Sequence, residues 1–184
     1  MFIQTEETPN PSTFKFLPGR TVMSEGTVFY RSAEEATDSD LALKLFDIEG
    51  VEGVFFGADF ITITKENNQE WTVLKPILLS AIMDFYSNNE NAVNRKEPSS
   101  KESEEKDTEV VKQIKELIDT RVRPAVAMDG GDIVYQDFKE GVVYLHMQGA
   151  CAGCPSSTAT LKMGIENMLK HYIPEVKEVR PTDE

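Results

Sequence analysis

Between Ser87 and Asp107 the chain reads NNENAVNRKEPSSKESEEK, a polar and charged run with no aromatic residue, in which only Ala92 and Val93 are apolar apart from one proline. Such a composition cannot bury enough surface to offset the entropy of ordering it. It predicts a flexible acidic linker over residues 89–106, with a root-mean-square span of roughly 25 Å. The flanking pieces, 1–88 and 107–184, are then expected to fold as separate small domains. With 40% hydrophobic and 28% charged residues overall, the chain has the material for a buried core.

The net charge is −13, and neither flanking piece is basic. That predicts no nucleic-acid partner and no anionic membrane surface. The best apolar run, from Ile77 to Met83, falls far short of the ~20 residues that span a bilayer. The opening MFIQTEETPNP has neither a signal-peptide apolar region nor an Arg-rich, acid-poor presequence, so the chain reads as a cytosolic protein. Two cysteines exclude a disulfide framework, and in a reducing compartment they point to metal or redox chemistry.

In the first piece, FKFLPG and TVFYRS are rich in β-branched and aromatic residues and broken by Pro18-Gly19 and Gly26, which predicts two strands. Asp38, Ser39 or Asp40 is placed to cap a helix whose Leu41, Leu45 and Ile48 share a face until Gly50. VFFGADFITITK reads as two strands around Gly57-Ala58-Asp59. TVLKPILLSAIMDFY reads as a helix with Ile77, Leu78, Ile82 and Phe85 inward, started or kinked by Pro76.

The second piece opens with a helical spacing of Val110, Ile114, Leu117, Ile118 and Val122, with Pro124 marking its expected end. A hairpin follows, DIVYQDF and VVYLHM around Lys139-Glu140-Gly141, where the glycine supplies a positive φ. Leu161, Ile165, Met168, Leu169 and Tyr172 then mark one face of a helix that Pro174 ends before a last strand, EVKEVRP. The fold class expected is α+β: two small α/β-sandwich-like domains with mixed or antiparallel sheets backed by helices.

Both cysteines lie in GACAGCPSSTATL, residues 149–161. With Pro155 as the first helical residue, Cys154 takes the N-cap and Cys151 the turn before it. Both sulfurs then face the positive end of a helix, which favours thiolate over thiol, and the small residues around them predict an exposed site. A dithiol-disulfide oxidoreductase uses such a pair, although no βαβ crossover precedes it here. A zinc site, as in a zinc-binding interaction module, needs two more ligands. His146 and His171 are the only histidines, and they read as a sheet-face and a helix-end residue. An iron-sulfur cluster takes four thiolates, which two copies of the loop related by a two-fold axis supply.

The run MDGGDI (128–133) followed by GACAGCPSSTATLKMGIE (149–166) and PEV (174–176) resembles the C-terminal domain of NifU, as found in the Nfu-type iron-sulfur cluster carriers. TEETPNPSTFKFLPGRTV (5–22) is similar to the start of the N-terminal domain that accompanies it. The resemblance implies a non-enzymatic carrier that binds a labile 4Fe-4S cluster between two protomers of a homodimer and transfers it to apo iron-sulfur proteins. An upstream assembly scaffold would be the donor. The family's cluster ligands map onto Cys151 and Cys154. The chain has neither the separate scaffold domain nor the ferredoxin-like domain of full-length NifU proteins, which implies a late carrier, and the bacterial cytoplasm is favoured over a processed mitochondrial form.

Three further features have plainer readings. Asp129-Gly130-Gly131-Asp132 is expected to be a tight turn into a strand. Gly164, in mid-helix, implies a close packing contact. Trp71, Phe55 and Phe56 are expected in a core rather than in a docking patch.

Overall fold

A computed structural model of the chain describes residues 2–94, 107–153 and 155–182, with the backbone alone over 155–158. It divides into two compact units, Met1–Lys96 and Glu97–Glu184. No described helix is long and apolar enough to cross a membrane.

The first unit contains β1 (Gln4–Glu7), β2 (Thr13–Leu17), β3 (Val28–Tyr30), α1 (Asp40–Phe46), β4 (Val51–Phe56), β5 (Ile61–Lys65) and α2 (Trp71–Asn88). Its sheet runs β1-β2-β5-β4-β3, with every neighbour antiparallel. The registers Phe14↔Ile63↔Val54↔Tyr30 and Phe16↔Ile61↔Phe56↔Val28 put eight apolar side chains on one face, because alternate residues of a strand share a side. Leu41 and Leu45 of α1 and Leu74, Leu78 and Ile82 of α2 complete that core. Phe55 points to the other face and is still fully buried, enclosed by Phe29 and Phe60 at ring-centroid distances of 6.3 and 5.9 Å. The Phe60 ring lies over Gly57, where a Cβ would come within 2.3 Å of it.

Ser39 is the N-cap of α1, accepting a bond from Ala42 N. Its hydroxyl donates to the Ala92 carbonyl at 2.6 Å, and Ala92 is buried, so an apolar residue of the polar run packs on this unit. The remainder of that run, residues 95–106, lies outside the described residues.

Three expectations change here. β1 has no apolar residue to signal it; it is an edge strand that pairs with β2 alone, where charge is tolerated. Pro76 does not start α2, which begins five residues earlier and carries the proline inside it. Ile77 is 47% exposed, and Tyr86 lies inside instead, because the buried stripe runs through Leu74, Leu78, Ile82 and Phe85. Trp71, Phe55 and Phe56 do pack as core or core-edge residues, with Trp71 against Phe14 and its indole N–H donating to the Pro11 carbonyl.

The second unit contains α3 (Glu109–Leu117), a π-helical turn (Ile118–Val122), α4 (Arg123–Met128), β6 (Gly131–Lys139), β7 (Val142–Gly149), α5 (Pro155–Tyr172) and β8 (Glu178–Thr182). The sheet is mixed: β6 and β7 pair antiparallel, β7 and β8 parallel. Pro124 therefore does not end the first helix, which continues past it to Met128. Proline lacks an N–H and crowds the carbonyl four residues back, and the wider turn just before it relieves both problems. The buried residues Ile114, Ile118, Val122 and Val126 recur every four positions. That spacing drifts by about 40° per step on a regular α-helix, and the π turn removes much of the drift.

The hairpin connection has two residues, Glu140 and Gly141, both at positive φ, rather than the three expected. On α5, Ile165 and Leu169 are buried, but Tyr172 is 48% exposed beneath the Arg121 guanidinium. Among the described residues nothing lies within 4 Å of where a Gly164 Cβ would stand.

Two stability changes follow. Gly164→Ala should stabilise the second unit by about 1 kcal/mol, because alanine lowers the entropic cost of the helix and meets no described residue, as urea denaturation followed by far-UV circular dichroism would measure. Tyr86 is 7% exposed, and its hydroxyl has no hydrogen-bond partner among the described residues. Burial pushes its pKa up to about 12 against the opposing pull of Arg20. A pKa raised in the folded state leaves stability intact below the unfolded value and removes it as pH climbs from about 10 towards 12. Tyr86→Phe should raise stability by about 1 kcal/mol and flatten that alkaline decline. Trp71, the single tryptophan, reports on this unit by fluorescence.

Candidate functional site

The loop from β7 to α5 is built by close backbone turns. Ala150 N–H donates to the Gly130 carbonyl at 3.2 Å, Cys151 N–H to Gln148 O at 3.3 Å and Ala152 N–H to Gly149 O at 3.1 Å. Gly149 and Gly153 adopt positive φ, 61° and 69°, and α5 begins at Pro155 as its ring requires. Cys154, the expected N-cap and second ligand, lies outside the described residues.

Cys151 is only 6% exposed and belongs to the core cluster of Ile133, Met147 and Ile165, which corrects the expectation of an exposed sulfur. The loop folds back because Gly131, at the start of β6, allows it. A Cβ on Gly131 would lie 2.5 Å from Cys151 Sγ and 2.9 Å from both Cys151 N and Gln148 O. Asp129-Gly130-Gly131-Asp132 is thus the turn expected, with Gly130 at φ 82°, and it also cradles the sulfur.

Among the described residues neither histidine is gathered with Cys151. His146 alternates with core-facing Leu145 and Met147 and so lies on the sheet's other face; His171 is exposed, with its ring against Tyr172. Among the described residues no three of His, Cys, Asp and Glu gather to hold a metal ion. The thiol chemistry fits a soft, iron-sulfur-type ligand, and one chain carries half of a four-thiolate set.

Beside the loop is an ion pair that sequence reading missed. Arg123 donates through Nε and Nη2 to the two carboxylate oxygens of Asp132, each at 2.9 Å, and through Nη1 to Asp119 at 3.2 Å. Asp132 is 3% exposed, and its Oδ1 also accepts from Ile133 N–H at 2.8 Å. The Asp132 hydrogen bonds hold the Arg123 guanidinium above its already high pKa, against the opposing effect of burial. The only sequence signal was an arginine nine residues before an aspartate.

Residues 3–89 match the family described as "Scaffold protein Nfu/NifU N terminal", and residues 114–180 match "NifU-like domain". A human protein, "NFU1 iron-sulfur cluster scaffold homolog, mitochondrial", is 52% identical over 180 residues, which is 97% of this chain and 71% of the relative. The chain belongs to the Nfu family of iron-sulfur cluster scaffolds. This is a family of scaffold proteins and not of enzymes. An Arabidopsis thaliana relative, "NifU-like protein 4, mitochondrial", is 50% identical over 97% of this chain and 65% of its own length. The chain thus spans slightly less than two thirds of that plant protein. A solution structure of a NifU-like protein from Saccharomyces cerevisiae is similar at 25% identity and a TM-score of 0.48, covering 52% of this chain and 86% of that one.

The cradle predicts a specific defect. Gly131→Ala meets backbone atoms as well as the sulfur, so the loop has to shift. The variant should lose about 1–3 kcal/mol of stability and expose Cys151, measured by thermal denaturation and by the rate of thiol labelling.

Proposed function

We propose that the protein is a carrier that binds a labile 4Fe-4S cluster between two copies of the chain, with Cys151 and Cys154 of each copy as ligands, and transfers it to apo iron-sulfur proteins. The single observation behind this reading is the thiol count of the family's cluster loop: two per chain, where a cluster takes four. A two-fold pair of identical loops makes up the set. The cluster is cargo. Transfer proceeds by ligand exchange, in which an acceptor thiolate forms a bond to iron as a carrier thiolate leaves and takes up a proton. An upstream assembly scaffold supplies the cluster.

The rival reading, a dithiol-disulfide oxidoreductase, is disfavoured by membership of a scaffold family, and it too needs Cys151, 6% exposed, to become accessible as a nucleophile. Ligation of a shared cluster likewise requires the loop to turn Sγ outward, which two flanking glycines at positive φ make feasible. We assign domain roles along the boundaries read from composition: residues 107–184 hold the cluster, and residues 1–88 recognise acceptors across the 89–106 linker. The named compartment of the human and plant relatives favours a mitochondrial protein over a bacterial cytoplasmic one.

Anaerobic reconstitution with iron counting and Mössbauer spectroscopy tests the assignment. About four irons per pair of chains are expected, with uptake lost in Cys151→Ala and in Cys154→Ala. A monomer that takes up no iron would overturn it.

A further inference from the structure

The contact between Gly131 and Cys151 is held from both sides of Gly131. On one side the Gly130 carbonyl accepts from Ala150 N–H, a backbone bond that any residue there would supply. On the other side Asp132 is anchored by Arg123, and this anchor depends on two particular side chains. Arg123 reaches Asp132 because of the π turn: its own N–H bonds to Ile118 O, one residue further back than in an α-helix. Without that extra residue the α4 side chains would rotate by about 100°.

Only Asp132 is out of water, the Arg123 side chain being 32% exposed, and taking even one charge out of water offsets much of the pair's attraction, so the pair is a poor way to gain stability. What such a pair does provide is a specified geometry, because a buried carboxylate tolerates few positions for its partner. Here the geometry specified is that of the first residues of β6, next to the sulfur.

We propose that Arg123 and Asp132 are positioning residues for Cys151: their bidentate pair holds Gly131 against the sulfur and so sets how readily the thiol leaves its cradle to bind or release a cluster. The inference rests on Cys151 being a cluster ligand, but its first test does not.

That test uses the full chain carrying Cys154→Ser, which leaves Cys151 as the only thiol, and follows iodoacetamide alkylation of the apo protein at fixed pH. Arg123→Met and Asp132→Asn should each speed alkylation by about tenfold or more, with Arg123→Lys in between. Val179→Ala, a core change in the same unit, shows how much reactivity general destabilisation alone produces. The double variant Arg123→Met/Asp132→Leu strands no charge and is expected to fold; it decides the matter where a single variant fails to fold. In it too, alkylation should exceed that of the Val179→Ala control. Alkylation no faster than that control in the folded variants would overturn the proposal. With both cysteines restored and the cluster loaded, the same substitutions should hasten iron loss to a chelator and alter the cluster's circular dichroism. Failure of the parent chain to load iron would count against the carrier reading, while the alkylation result would still stand for or against the clamp.

Discussion

The close approach of Gly131 to Cys151 is the constraint around which the second unit is arranged. A side chain at position 131 would occupy the space of the sulfur and press on the loop backbone as well. Because the space is left open, the residues after β7 fold back and bury Cys151 among Ile133, Met147 and Ile165 before α5 begins. The hairpin register, which sets Gly131 opposite Gly149, brings two glycines together where the loop after β7 folds back over the start of β6. The helix before β6 ends at the same place, since Gly130 closes its last turn and also receives the bond from Ala150.

The π turn belongs to the same arrangement. It lets the helix pass Pro124, keeps Ile114, Ile118, Val122 and Val126 together in the core, and aims Arg123 at Asp132. The first unit obeys a different rule. Its antiparallel sheet is covered by two helices on one face, while on the other Phe29, Phe55 and Phe60 form a smaller apolar layer, with Lys15 4.9 Å above the Phe60 ring and 3.2 Å from Glu6. The aromatic sheet residues thus serve packing on both faces, and α2 leaves Val73, Ile77 and Met83 exposed.

Patterns of local origin were legible in the sequence. The strands at Thr13–Leu17, Val28–Tyr30, Val51–Phe56 and Ile61–Lys65, the Ser39 cap, the hairpin glycine and the start of α5 at Pro155 all follow from propensity, alternation and turn chemistry. Misses came where a local rule met a longer-range demand. Pro124 looked like a stop signal, and a neighbouring wide turn absorbed it. Pro76 does not start α2, and Ile77 faces outward because the buried stripe is anchored by Leu74 and Leu78. Gly164 suggested a packing contact that no described residue of this chain makes.

By itself the sequence determined the α+β class, the polar run between two apolar-patterned pieces, and the pair of thiols three residues apart beside a helix start, since each depends only on residues near one another in the chain. The tertiary structure alone decided that Cys151 is buried, that Gly131 shelters it, and that a half-buried Arg123 pairs with a buried Asp132 beside it. Those facts arise between residues brought together by the β6–β7 register and the π turn, and no local propensity encodes which side chains meet across that distance.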